Sequence, residues 1–144
     1  MTVTIREADR PGDIGIITLM HGRLYAEECG MDQGVEAYIA ASLADHVNRR
    51  AADGRSAGRC WVAEDAAGRI IGSIGITRAD QGWLRLRWFL IDPGQRGKGL
   101  GRMLMDTALA YCREQEAVGV FLMTIAGLDP AHHLYLKAGF TRTA

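Results

Sequence analysis

The stretch that decides the fold is WFLIDPGQRGKGLG, residues 88–101. It joins four apolar residues, an Asp-Pro pair and three glycines at the alternate positions 97, 99 and 101. An amphipathic pattern follows at once, so the stretch predicts a buried strand, a tight loop and a helix. Glycine lets backbone N–H groups approach a ligand closely, and a helix N-terminus adds unpaired donors and partial positive charge. Phosphate is the ligand that such a loop favours.

Two common phosphate-binding loops do not fit these residues. A Walker loop counted from Gly94 would place Leu100 where a lysine belongs and Gly101 where a hydroxyl belongs. A dinucleotide fingerprint counted from Gly97 would need a third glycine at Arg102. We therefore expect the loop to bind phosphate in some other structural setting.

The loop resembles the Arg/Gln-x-x-Gly-x-Gly/Ala segment of the GCN5-related N-acetyltransferase (GNAT) family, which residues 96–101 match. The strand and its Asp-Pro pair precede the loop at the family's spacing. Leu134-Tyr135 and Gly139-Phe140 match the family's Leu-Tyr-x-x-x-Gly-Phe motif. The resemblance extends from about residue 4 to residue 140. Residues 12–38 are also similar to the acetyltransferase domain found fused to MarR-type regulators.

The resemblance implies that acetyl-CoA is a co-substrate and indicates where it binds; no metal is implied. The pantetheine amides would pair with the backbone of Phe89, Leu90 and Ile91, and the pyrophosphate would lie on the loop. Tyr135 matches the family's tyrosine that protonates the departing thiolate. The loop residues implied in coenzyme binding are Arg96, Gly97, Lys98, Gly99, Leu100, Gly101 and Arg102.

The activity that the resemblance implies is transfer of an acetyl group to a primary amine by direct attack in a ternary complex. The acceptor would be a small-molecule or peptide amine. Two departures from the family pattern keep an alternative open, an acyl-CoA-sensing regulatory domain with little turnover. Arg85 stands where many members have an acid that helps deprotonate the amine, and Leu128 replaces a frequent asparagine.

The general base is left unassigned by these departures. A histidine could take the role, and the candidates are His21, His132 and His133, although an exposed or capping position is the commoner one for each. Four acids at the turn between the first two predicted helices could form an acidic rim with Tyr25 and Tyr38 that receives a cationic amine. They are Glu27, Glu28, Asp32 and Glu36.

Size and composition indicate one globular domain spanning residues 1–144. Lysine plus arginine and aspartate plus glutamate number 17 each, which argues against direct nucleic-acid binding. The N-terminus has no signal-peptide pattern, no apolar run approaches a membrane span, and the three cysteines fit no metal spacing. We therefore expect a cytoplasmic protein that contacts neither membrane nor nucleic acid.

The periodicities predict the order β-α-α-β-β-β-α-β-α, an α/β (α+β) fold with a mixed central sheet flanked by helices. The second helix should turn Tyr38, Ile39, Leu43 and Val47 inward. A fifth strand is predicted over residues 119–124, and Asp129-Pro130 should begin the last helix. The GNAT-like sheet would lack its final strands, so we expect either a truncated fold or a sheet edge that a homodimer completes.

Overall fold

The computed structural model describes residues 2–124 and 131–143, and its order of elements confirms the predicted mixed fold. The strands are β1 (Thr4–Glu7), β2 (Gly58–Glu64), β3 (Ile70–Arg78), β4 (Trp83–Ile91) and β5 (Gly119–Phe121). The helices are α1 (Asp13–Cys29), α2 (Gln33–Asp53), α3 (Leu100–Glu114) and α4 (His132–Lys137). Short 3₁₀ turns cover Gly54–Ala57, Asp80–Gly82 and Pro93–Gln95. Leu128 and the predicted Asp129-Pro130 helix start lie outside the described residues.

The five strands form one sheet in the order β1-β2-β3-β4-β5. All neighbours are antiparallel except β4 and β5, which run parallel, so the sheet is mixed as predicted. The fifth strand ends at Phe121 and not at Thr124, because its pairing with β4 stops at the Arg85–Phe121 pair. The two strands therefore share only the first part of their length.

Helices cover both faces of the sheet. Leu104 and Tyr111 of α3 pack with Tyr135 of α4 against one face. Ile17 of α1 and Leu43 of α2 pack against the other face. The sheet is thus the central layer of a three-layer domain.

A β-bulge in β4 changes which side chains face α1 and α2. Ser73 pairs with Leu90 and Gly75 with Arg87, so Trp88 and Phe89 together oppose a single residue of β3. Trp88 has a positive φ of 50°, and the Ser73 hydroxyl donates a 2.7 Å hydrogen bond to its carbonyl. As a result, two consecutive side chains, Arg87 and Trp88, reach toward α2.

The predicted inward face of α2 is half correct. Ile39 and Leu43 are buried, but Tyr38 is 54% exposed and Val47 is 45% exposed. The buried positions are Ile39, Leu43 and His46, which recur at steps of four and three residues. Tyr38 and Val47 each lie one residue outside that stripe and are rotated about 100° from it.

Candidate functional site

The strands β4 and β5 diverge beyond their last shared pair, Arg85 and Phe121. A cavity of about 360 Å³ opens where they separate. Its wall contains β4 residues 85–89, the residues 122–124 that follow β5, and side chains of α1 and α2. Tyr135 of α4 completes the wall. One cavity thus joins the strand before the glycine loop, the predicted catalytic tyrosine and the first two helices.

Phe89, Leu90 and Ile91 are the predicted coenzyme-binding residues of β4. All three side chains are buried, with exposed fractions of 4–8%. Phe89 lines the cavity, and its ring centroid lies 5.8 Å from that of Tyr135. β5 no longer pairs with β4 at this segment. A ligand could therefore reach the β4 main chain from the side on which β5 would otherwise lie.

The glycine loop presents backbone and empty space at two positions. Gly97 and Gly99 have φ values of 78° and 82°, a conformation that side-chain-bearing residues rarely adopt. A Cβ atom at either position would meet no atom within 4 Å. Gly99 also caps α3, and no side chain of a described residue accepts a hydrogen bond from the start of that helix. The geometry fits a phosphate group held by main-chain N–H groups.

The remaining loop residues have different environments. Arg96 forms a 3.0 Å ion pair with Glu28 of α1, which ties the loop to the first helix. Lys98 and Arg102 are exposed to solvent. Arg102 lies 3.9 Å from Asp106 one turn further along α3. These cations surround the loop. Among the described residues, none of their contacts lies in the open space above Gly97 and Gly99.

Leu100 and Gly101 contribute to the packing of the core. Leu100 is 4% exposed and belongs to the core. A Cβ atom at Gly101 would lie 2.8 Å from Leu134 Cδ1, so this glycine allows α3 and α4 to approach closely. Their predicted contribution to coenzyme binding can come only from their main chain.

Tyr135 is buried at 7% exposure and lies between two aromatic rings. Its centroid is 5.8 Å from that of Phe89 and 6.3 Å from that of Phe140. The Leu-Tyr and Gly-Phe halves of the terminal motif therefore meet in space. This packing holds the tyrosine in the cavity wall.

The three histidines separate clearly. His133 is exposed and His132 is half-buried, and neither lines the cavity between β4 and β5. His21 lines the cavity and is only 2% exposed, contrary to the exposed or capping position expected for it. Its Nδ1 lies 2.8 Å from the Ile17 carbonyl oxygen. The signal for burial was present, because His21 falls on the Ile17–Leu24 stripe of α1.

Charge in the cavity comes from two arginines that face α2. The Tyr38 hydroxyl accepts hydrogen bonds from Arg85 Nη2 at 3.3 Å and from Arg87 Nη2 at 3.0 Å. Burial raises the pKa of Tyr38, but the hydrogen bonds and charges of the two arginines outweigh burial and hold that pKa below its usual value. Burial, aided by the neighbouring Arg85 charge, lowers the pKa of Arg87. No sequence pattern indicated that Arg85 pairs with Tyr38.

None of the four acids of the predicted acceptor rim lines the cavity. Glu28 pairs with Arg96, and the Asp32 carboxylate accepts a 2.8 Å hydrogen bond from the Gly34 N–H at the start of α2. Glu36 packs against Gly22, where a Cβ atom would lie 2.6 Å from its Oε1. Glu28 therefore ties α1 to the glycine loop, whereas Asp32 and Glu36 support the α1–α2 connection.

No cluster of three His, Cys, Asp or Glu side chains that could hold a metal occurs in residues 2–124 or 131–143. Among the described helices, none combines the length and apolarity that a membrane span requires.

Comparison with protein families gives a match to the model described as the acetyltransferase (GNAT) family, over residues 23–140. The chain is 31% identical over 105 residues to a mycothiol acetyltransferase of Propionibacterium freudenreichii, covering 71% of this chain and 34% of that protein. It is 34% identical over 85 residues to a streptothricin acetyltransferase of Streptomyces lavendulae, covering 57% of this chain and 44% of that protein. The chain thus spans less than half the length of these relatives.

Solved structures share the fold. A GNAT-family acetyltransferase from Staphylococcus aureus has a TM-score of 0.82 at 23% identity, covering 99% of this chain and 87% of that one. A GNAT-family acetyltransferase from Brucella melitensis, in complex with acetyl-CoA, has a TM-score of 0.68 at 23% identity, covering 98% and 84%. At these identities the likeness concerns the fold alone.

Proposed function

The chain belongs to the acetyltransferase (GNAT) family, and from this premise we propose that it transfers the acetyl group of acetyl-CoA to a primary amine. The observation that carries the proposal is the single cavity between β4 and β5. Phe89 and Tyr135 line it, and so do the polar side chains His21, Tyr25 and Tyr38 of α1 and α2. A thioester and an amine could meet there in a ternary complex.

Acetyl-CoA binding is supported by the loop and by the free side of β4. The pyrophosphate would accept hydrogen bonds from main-chain N–H groups of residues 97–102, where Gly97 and Gly99 leave the approach open. The pantetheine amides would pair with the main chain of residues 89–91. A GNAT-family structure from Brucella melitensis contains acetyl-CoA, which supports acetyl-CoA as the co-substrate.

The reaction we propose is attack of the neutral amine on the thioester carbonyl. The C–N bond forms, the C–S bond breaks, and the amine nitrogen loses a proton. Deprotonating an alkylamine of pKa about 10 at neutral pH costs about 4 kcal/mol, so a proton acceptor would assist. A backbone N–H near Leu90 or Ile91 would stabilise the oxyanion.

Tyr135 would donate its proton to the departing thiolate. A thiol pKa near 8.5 lies below a tyrosine pKa near 10, so complete transfer is uphill by about 2 kcal/mol. We therefore expect Tyr135 to assist the departure of the thiolate without being indispensable.

The proton acceptor cannot be Arg85, since a guanidinium stays charged at any physiological pH. His21 is a histidine of the cavity wall. Its Nδ1 lies 2.8 Å from the Ile17 carbonyl oxygen, which fixes the orientation of the ring. His21 is accordingly our candidate for the group that accepts the amine proton, directly or through water.

The test is amine-dependent release of CoA thiol from acetyl-CoA by wild type, Tyr135→Phe and Tyr111→Phe. Tyr111 is also a buried tyrosine, but it packs on Trp61 and does not line the cavity, so its variant controls for loss of a buried hydroxyl. We expect Tyr135→Phe to lower kcat about 10- to 100-fold with KM for acetyl-CoA little changed. Tyr111→Phe should keep wild-type kcat.

Two results would contradict the proposal. Acetyl-CoA binding without thiol release on any primary amine would favour a sensing domain. Equal loss of kcat in both tyrosine variants would remove Tyr135 from the chemistry.

A further inference from the structure

Arg85 and Arg87 form a positively charged pair without a carboxylate partner among the described residues. None of the ion pairs within residues 2–124 and 131–143 includes either arginine. Arg85 Nε is buried and makes no hydrogen bond to any described atom. The nearby acid Asp45 forms its own ion pair with Arg49 at 2.9 Å. Most of the other arginines on the strands form ion pairs with acids, and this pair differs from them in having no such partner.

The pair is held in place by groups that supply no negative charge. Both guanidinium groups donate to the Tyr38 hydroxyl. The Arg87 guanidinium carbon lies 5.0 Å from the Trp88 ring centroid and 5.9 Å from the Tyr38 ring centroid. Each guanidinium has five N–H donors, and one acceptor oxygen cannot satisfy two such groups. Two like charges beside each other and half out of water favour an anion between them.

We propose that Arg85, Arg87 and Tyr38 bind an anionic group on the acceptor, so that the substrate class is a primary amine bearing a carboxylate or phosphate. This inference rests on the proposed acetyl transfer and names the substrate class of that same cavity. Planar guanidinium groups match both kinds of oxyanion. Arg85 and Arg87 share a face because side chains alternate along β4, and the bulge at Trp88 adds that ring to the same face beside Arg87.

The position of the pair suits a bifunctional acceptor. Arg87 and Leu90 lie opposite Gly75 and Ser73, which are two residues apart or about 6–7 Å along a strand, so Phe89 lies within that distance of Arg87. An anionic group on the arginines would leave the amine free to extend along the cavity toward Phe89 and Tyr135. A diamine would instead place a second ammonium group against two guanidinium charges. The geometry therefore disfavours polyamines.

The experiment compares acceptors that differ only in the group at the far end. The set is β-alanine, 3-amino-1-propanol and 1,3-diaminopropane, with O-phosphoethanolamine and ethanolamine as the phosphate pair. We expect kcat/KM for at least one anionic amine to exceed that for its neutral partner about tenfold or more, and the diamine to be the poorest acceptor. The ranking of β-alanine against O-phosphoethanolamine distinguishes a carboxylate from a phosphate.

The variants locate the preference. Arg87→Gln and Arg85→Gln should raise KM for the preferred anionic amine about 10- to 100-fold. KM for acetyl-CoA and for the neutral partner should stay within about twofold. Arg113→Gln removes an exposed arginine at the end of α3 and is the control for net charge. It should match wild type for every acceptor.

Failure of this inference is distinct from failure of acetyl transfer. Turnover with no preference for anionic amines, or a preference that survives both arginine variants, overturns the inference and leaves the activity intact. If no amine is turned over, calorimetry on the CoA-saturated protein decides. β-Alanine should bind more tightly than 3-amino-1-propanol in wild type but not in Arg87→Gln, and equal affinities would overturn the inference.

Discussion

The coenzyme side and the acceptor side of the cavity are built in different ways. The coenzyme side is one continuous segment, β4, the loop and the start of α3, and it offers mainly backbone. The acceptor side joins residues far apart in the chain, such as Tyr38 of α2 and Arg87 of β4. A site that binds its ligand through the backbone can be predicted from the glycines in the sequence. Side-chain recognition becomes visible only when the chain is folded.

The bulge at Trp88 connects the two sides, because it places the Trp88 ring beside Arg87 on the acceptor wall while Phe89 faces Tyr135. A substitution that disrupts the bulge should therefore disturb both sides of the cavity. Gly75→Ala would force a Cβ atom into the Trp88 ring, and we expect a loss of about 2–3 kcal/mol in unfolding free energy. Urea denaturation measures this loss.

The matched control for the bulge is Gly15→Ala in α1, where a Cβ atom meets nothing within 4 Å. That variant should gain up to about 1 kcal/mol from helix propensity. Equal stability of the two variants would show that Gly75 is not needed for the Trp88 conformation.

The coenzyme side is tested alone by Gly99→Ala. We expect acetyl-CoA affinity to fall about 10- to 100-fold, because the new methyl group and the strained φ disturb main-chain hydrogen bonds to phosphate. Calorimetry with acetyl-CoA measures the effect.

Gly68→Ala is an unusually close control for strain. Gly68 lies in the β2–β3 turn with the same φ of 82° and the same empty surroundings as Gly99. Both variants should lose a similar amount of stability, about 1–2 kcal/mol. Reduced acetyl-CoA affinity in Gly68→Ala as well would mean that the loop effect is only destabilisation.

The stability of the acceptor side should also be more sensitive to mild acid than that of the coenzyme side. His46 of α2 packs on Trp88, and burial, followed by the charges of Arg50 and Arg87, lowers its pKa to about 4 against the opposing charge of Asp45. The unfolded chain, with a histidine pKa near 6.5, binds the proton more readily. Stability from the neutral imidazole is therefore full above pH 6.5 and is lost as pH falls toward 4, by at most about 1.4 kcal/mol per pH unit.

Urea midpoints between pH 7 and pH 5 measure this dependence. His46→Gln should flatten it, whereas His133→Gln, which removes an exposed histidine, should keep the wild-type slope. A wild-type slope in His46→Gln would assign the pH dependence to other groups.

Much of the fold followed from local pattern. The strand–loop–helix at residues 88–101 and the amphipathic α3 were predicted because each is local in sequence. The bulge was not, since it depends on the contact of Gly75 with Trp88 across two strands. Tyr38 was misplaced for a related reason. An aromatic residue next to the buried stripe of a helix is readily predicted to be buried. Only the structure shows that the Tyr38 hydroxyl accepts hydrogen bonds from Arg85 and Arg87.

Predictions about the site divide in the same way. The open geometry at Gly97 and Gly99 is a local property, and coenzyme binding there stays a prediction. Burial of His21 was accessible from the α1 stripe but was outweighed by the usual exposure of histidines. The regulatory alternative, the likeness to MarR-fused domains, the cytoplasmic location and a homodimer stay predictions.

The central claim is that acetyl-CoA and an anionic amine react in the cavity between β4 and β5. The most direct measurement is mass spectrometry of β-alanine and O-phosphoethanolamine incubated with acetyl-CoA and the wild-type protein. We expect an N-acetylated product whose rate of formation falls in Tyr135→Phe and in Arg87→Gln but not in Arg113→Gln. Acetylation confined to neutral or dicationic amines, and unaffected by Arg87→Gln, would contradict it.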